Sequence, residues 1–126
     1  MKITAETRTL DGTGRAGFCP IDPITTQAKT RAGILKVWSK ATAAEYARKL
    51  AFQEHHDTAW CDAQAINGVW IMEGYASDGA HRYRMTATAE QGGPVICGVY
   101  DTREHWHEYT AEAERIAALR DKYATK

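Results

Sequence analysis

The sequence predicts an α+β fold: an antiparallel β-meander with two helices packed on one face, preceded by an N-terminal hairpin and strand. Two observations carry that prediction. Three turn dipeptides, Asn67-Gly68, Asp78-Gly79 and Gly92-Gly93, divide the second half into four short runs rich in branched and aromatic residues, the pattern of up-and-down strands. From Trp106 onward the apolar period changes to three and four, the spacing of an amphipathic helix.

Taken in order, residues 2–10 alternate Ile3, Ala5, Thr7 and Thr9 against Lys2, Glu6 and Arg8 and run into Asp11-Gly12, so a hairpin with residues 15–19 is expected. Pro20 and Pro23 keep a regular element out of the start of 20–30, which reads as a loop. Residues 33–38, Gly-Ile-Leu-Lys-Val-Trp, read as a strand. Thr42-Ala-Ala-Glu45 has the form of a capping box and opens a helix to about His55, with Ala43, Ala47, Leu50 and Ala51 as a small-residue face lying on the sheet. Asn67-Gly68 supplies the two positive φ angles of a type I′ turn and joins 60–66 to 69–76. Asp78-Gly79 then leads to 81–89, and Gly92-Gly93 to 94–100. Asp101-Thr-Arg-Glu104 is a second cap. Trp106, Tyr109, Ala113, Ile116, Leu119, Arg120 and Tyr123 follow as the inner stripe of the last helix, opposite Glu108, Glu112, Glu114 and Asp121.

One domain over residues 1–126 accounts for the chain, because the length suits a single core and no repeat, low-complexity tract or linker-like stretch divides it. Hydrophobic residues make up 44% of it, too many for a largely disordered chain. Sixteen basic and sixteen acidic residues cancel, so there is no strong nucleic-acid signal. The charge is uneven, however: residues 1–50 hold nine Lys or Arg against four Asp or Glu, and 51–126 hold seven against twelve. No apolar run approaches the roughly 20 residues of a spanning helix, and the first ten residues lack a secretory apolar core. Cys19, Cys61 and Cys97 are odd in number and widely spaced, which fits reduced thiols. A cytoplasmic protein without membrane contact is expected.

If both meander turns are two-residue hairpins, the register follows, and with it the faces. Cys61, Ala63, Ala65, Trp70, Met72, Gly74, Ala76, His81, Tyr83 and Met85 fall on a core face. On the other face Trp60, Tyr75 and Arg82 form one row, Asp62, Glu73 and Arg84 the next, and Gln64, Ile71 and Thr86 a third. The candidate binding residues are therefore Trp60, Asp62, Glu73, Tyr75, Arg82 and Arg84. An indole, a phenol and a guanidinium in one row are the groups that dominate protein interfaces. With Ile66, Val69 and Ile71 beside Trp60 and Tyr75, the face carries an apolar patch whose best reason is association. The same row can also stack on a flat, nucleotide-like anion, and Asp62 opposite Glu73 has the form of an acid–base pair.

Other motifs carry less. Gly12-Thr-Gly-Arg-Ala-Gly17 matches a dinucleotide fingerprint, but Phe18-Cys-Pro20 follows where a helix has to begin. His55, His56, His81, His105 and His107 show no metal-binding spacing, and no nucleophile elbow is present. No catalytic residue, cofactor or metal is assigned. The expected function is a non-enzymatic interaction protein, of the kind found among bacterial or phage accessory proteins such as small inhibitors, acting through the sheet face on a protein partner or as a homodimer. A binder of a nucleotide-like anion or of single-stranded nucleic acid is one alternative, and a small enzyme using Asp62 and Glu73 is another.

Overall fold

A computed structural model describes residues 1–10, 16–55, 68–90 and 93–124 of the chain. The alternation along the amino-terminal stretch becomes strand β1 (Lys2–Leu10), which returns as β2 (Ala16–Pro20) with Thr7 opposite Cys19. The expected N-terminal hairpin is thus present, its Asp11-Gly12 turn lying outside the described residues. Past the two prolines the loop contributes one short pairing, β3 (Ile24–Thr25) against Ile3 and Lys2 of β1. The meander consists of β4 (Val69–Ser77), β5 (Arg82–Glu90) and β6 (Ile96–Asp101). Strand order is β2-β1-β4-β5-β6, with every pairing antiparallel. The α+β class, the antiparallel sheet, its meander and two helices are as the sequence predicts.

The meander starts one strand later than predicted. Residues 60–66, which the sequence assigns to a strand hairpinned onto β4 through Asn67-Gly68, lie outside the described residues. Both edges of β4 are already taken, by β1 from Ile3↔Ala76 to Leu10↔Val69 and by β5 from Val69↔Glu90 to Ser77↔Arg82. A turn dipeptide is a local preference. β1 outweighs it with a full-length alternating ladder partner.

Residues 33–38 belong to a helix rather than a strand: α1 spans Arg31–His55. Thr30 caps it, Oγ1 accepting from Gly33 N at 3.1 Å while Ile34 N donates to Thr30 O. Thr42, the expected cap, sits inside the helix and donates to Ser39 O. Ile34, Trp38, Thr42 and Tyr46, four residues apart, form the buried stripe. Ala43, Ala47 and Ala51, predicted to lie on the sheet, face solvent. Over six residues a branched and aromatic run fits helix and strand alike. The helix's rotation is decided by Trp38 and Tyr46, whose burial removes far more apolar surface than three alanines would.

The second helix, α2 (Trp106–Ala124), lies across the sheet from α1, so the two helices cover opposite faces and not one. α1 packs Ile34, Trp38 and Tyr46 with Ile3, Met72, Met85 and Val99. α2 packs Ile116, Leu119 and Tyr123 with Val69 and Ile71. The cause is β4, which is apolar on both sides, Trp70, Met72 and Ala76 alternating with Val69 and Ile71, and so needs two covers. On the α1 side Gly74 makes room for Trp38. A Cβ there would lie 3.1 Å from the indole and 3.0 Å from Thr4 O, and Trp38 Nε1 donates to Thr86 O at 2.8 Å.

Candidate functional site

The turn between β4 and β5 fixes which side chains meet. Its central residues are Gly79-Ala80, one position later than the predicted Asp78-Gly79. Asp78 N donates to His81 O, His81 N donates to Asp78 Oδ1, and Gly79 takes a left-handed φ of 88°. Sliding the turn by one residue moves each cross-strand partner by two, so faces are kept and neighbours change. Tyr75 pairs with Arg84 rather than Arg82, Glu73 with Thr86 rather than Arg84, and Arg82 with Ser77. Glu73, Tyr75, Arg82 and Arg84 share one face, in rows that differ from the predicted ones. Trp60 and Asp62, with Ile66, lie outside the described residues. Val69 and Ile71, predicted for an open patch, are buried beneath α2.

α2 leaves open the part of its face formed by β1, β4 and β5 next to the 78–81 turn. There Tyr75 is 53% exposed, and the Arg84 guanidinium lies over its ring at 5.5 Å, a cation–π arrangement. β1 adds Thr4 opposite Tyr75 and Glu6 opposite Glu73. Arg120 reaches from α2 to Glu73, Nη2 donating to Oε1 at 2.5 Å. Thr4, Glu6, Glu73, Tyr75, Arg84 and Tyr109 line a cavity of about 160 Å³. Tyr109 continues into an aromatic group at the start of α2, with ring centres 5.8 Å from Tyr100 and 6.1 Å from Trp106, the latter 54% exposed. Sequence reasoning missed Thr4, Glu6 and Tyr109. Alternation along β1 puts Thr4 and Glu6 on one face, but only the long-range β1–β4 pairing brings that face to Tyr75.

Behind the cavity, Glu112 anchors α2. It is buried, although the sequence pattern assigns it to the outer face. Its carboxylate accepts from Thr86 Oγ1 at 3.1 Å, Tyr100 Oη at 3.2 Å and Arg115 Nε, and Arg115 Nη2 donates to Thr88 Oγ1. Burial works to raise its pKa, but the Arg115 bond and charge and the two hydroxyl donors outweigh burial and hold it below the usual carboxylate range. Burial, with the Glu112 charge, pushes the Tyr100 phenol up to about 12.

A second polar group joins the start of β5 to the end of β6. His81 Nδ1 lies 2.9 Å from Asp101 Oδ2 and its ring stacks on Tyr83. Asp101 Oδ1 accepts from Arg103 N and Glu104 N, which makes Asp101 the predicted cap. Those roles account for its burial. A wider groove of about 520 Å³ follows β6, bordered by Arg31, Leu35, Cys97 and Glu108. Among the described residues no three His, Cys, Asp or Glu side chains are placed to hold a metal ion, and no helix is long and apolar enough to cross a membrane. Where the glycine fingerprint needs a helix, Ala16–Pro20 is a strand.

The architecture defines the class to which the protein belongs: a small α+β domain with an antiparallel sheet between two helices and one part-open sheet face. No protein-family model matches the chain, nor does any curated protein or solved structure.

Proposed function

We propose that the protein acts by binding, presenting the open part of its α2-side sheet face to a protein partner. The observation that carries this reading is exposed Tyr75, with Arg84 against it, on a cavity that Tyr109 also lines, and exposed Trp106 against the Tyr109 ring. Tyr, Trp and Arg supply most of the energy of protein interfaces when a partner desolvates them. β4 carries Tyr75 between two full ladders, so the face is presented by rigid backbone. A nucleotide-like ligand has less support. Arg84 already covers the Tyr75 ring, Glu6 and Glu73 repel an anion, and ligand sites usually exceed a few hundred Å³. The enzyme alternative also has less support: Asp62 lies outside the described residues, and Glu73 has Glu6 and Thr86 as its strand partners and is bonded by Arg120.

The test is photocrosslinking in the protein's own cell. A photoreactive phenylalanine analogue at position 75 is expected to give one discrete adduct, and the same analogue at Ala47, on the outer face of α1, none. An adduct at twice 14.0 kDa identifies a second copy as the partner. Arg84→Ala in the position-75 background weakens the adduct while the melting temperature stays nearly unchanged, because both side chains are exposed. Equal crosslinking at 75 and 47, or none at either, counts against the proposal.

A further inference from the structure

Side chains alternate along β1 and β5, so Lys2 shares the face of Thr4, and Arg82 that of Arg84. Arg84 stands in one row with Tyr75 and Tyr100, and Arg82 in the next row with Ser77. Lys2, Arg82 and Arg84 are all exposed. Residues two apart on a strand are separated by about 7 Å, and β1 runs two strand spacings, about 10 Å, from β5, so the three positive charges act as one group at ordinary salt. Elsewhere Arg31, Arg48, Arg115 and Arg120 each meet a carboxylate. Lys2, Arg82 and Arg84 meet none among the described residues. Arg84 rests on the Tyr75 ring at 5.5 Å, a contact that positions the guanidinium and leaves its N–H donors for an acceptor outside the chain. Glu73, one row behind, is already bonded by Arg120.

We propose that the docking face takes an acidic partner, whose surface carboxylates meet Arg84, Arg82 and Lys2 as Tyr75 and Trp106 are covered. This rests on the docking reading above and specifies the partner's charge. Arg84 is the central contact, because a guanidinium accepts a carboxylate in a two-bonded fork, and Lys2 and Arg82 steer the approach. A nucleic-acid strand fits less well. It presents a continuing run of phosphates, and Glu6 and Glu73 occupy the row directly behind Arg84.

The test has two arms. In the position-75 crosslinking background, Lys2→Glu with Arg82→Glu is expected to lower the adduct by about threefold or more, while Lys36→Glu with Lys40→Glu, on exposed positions of α1, leaves it unchanged; the melting temperature stays nearly the same in both, since all four side chains are exposed. In an amide NMR titration of the full chain, a hexaglutamate peptide is expected to shift Thr4, Tyr75 and Arg84 saturably and to bind about threefold or more tighter than hexaglutamine. Arg84→Gln removes that difference, and Arg84→Lys restores part of it. An adduct indifferent to the reversal at Lys2 and Arg82, equal affinity for the two peptides, or shifts confined to other surfaces overturns the proposal. Tighter binding of an oligothymidylate than of hexaglutamate at the same amides also overturns it, in favour of nucleic acid. If position 75 still crosslinks a protein in those cases, the docking face stands and only its charge preference is wrong; loss of both results removes both readings.

Discussion

Glu112 and Tyr100 decide how α2 sits on the sheet. A buried carboxylate is tolerated only when hydrogen-bonded and charge-compensated, and Glu112 has two hydroxyl donors and the Arg115 guanidinium. Tyr100 reaches it by folding back over Gly98, where any Cβ would overlap the phenol. Replacing Glu112 by Gln keeps the shape, removes the charge and leaves Arg115 without its ion-pair partner. We expect a loss of about 1–3 kcal/mol in denaturant unfolding. The pH dependence has a definite sign. The folded pKa is depressed, so the stabilisation is fully present above the unfolded value of about 4.3 and is lost as pH falls through the folded value. Glu112→Gln therefore flattens the acid limb of the stability curve, and an unchanged limb refutes this role. The sequence hid Glu112 because the apolar stripe that includes Ala113 also fits the pattern. The helix is in fact rotated so that Tyr109, Glu112, Ile116 and Leu119 face the sheet, leaving Ala113 outside.

Elements with local causes were the legible ones. The Asp101 cap, the α2 helix and β4 to β6 follow from signals contained within a few residues. Two errors came from signals that are degenerate over short windows. Ile34, Val37 and Trp38 suit a strand until the four-residue repeat through Thr42 and Tyr46 is seen, and Asp78-Gly79 and Gly79-Ala80 both place Gly79 in the turn between β4 and β5. Asp101 ties two of these elements together. Its carboxylate is held low, chiefly by the Arg103 backbone N–H, and its bond to His81 is the main cause raising the imidazole pKa. The sign here is opposite to that of Glu112. The His81 contribution is present below the unfolded value of about 6.5 and is lost as pH rises through the elevated folded value. Asp101→Asn preserves a good capping side chain and removes the charge. An NMR titration of His81 should then show its pKa falling toward the ordinary histidine value. If it stays elevated, the more distant Asp78 and Glu104 charges are responsible instead.

At the scale of the whole molecule the sheet has to end without inviting another strand, and what the sequence could not show is how β6 does this. The elements involved are far apart in the chain. β6 is an outer strand, and unpaired edge groups are templates for association. Arg31, at the first turn of α1, wraps around this edge. Its Nε donates to Val99 O at 2.7 Å, its Nη2 meets Glu108 of α2 at 2.8 Å, and its guanidinium lies 5.7 Å from the Tyr100 ring centre. His105 closes the next position, accepting from Asp101 N through Nδ1 and donating its own N–H to Asp101 O. One side chain thus joins the α1 layer, the sheet edge and the α2 layer. Because the Arg31–Glu108 pair is well exposed, its Coulomb share is small, and the edge carbonyl is the part that matters. Arg31→Ala should cost about 1 kcal/mol, read from the denaturant midpoint, and make sedimentation concentration-dependent as the edge opens. Arg31→Lys, which lacks the forked guanidinium, should recover the charge but not the seal. If Arg31→Ala is destabilised yet sediments like the unsubstituted chain at every concentration, the contact fastens α1 to the sheet without guarding its edge.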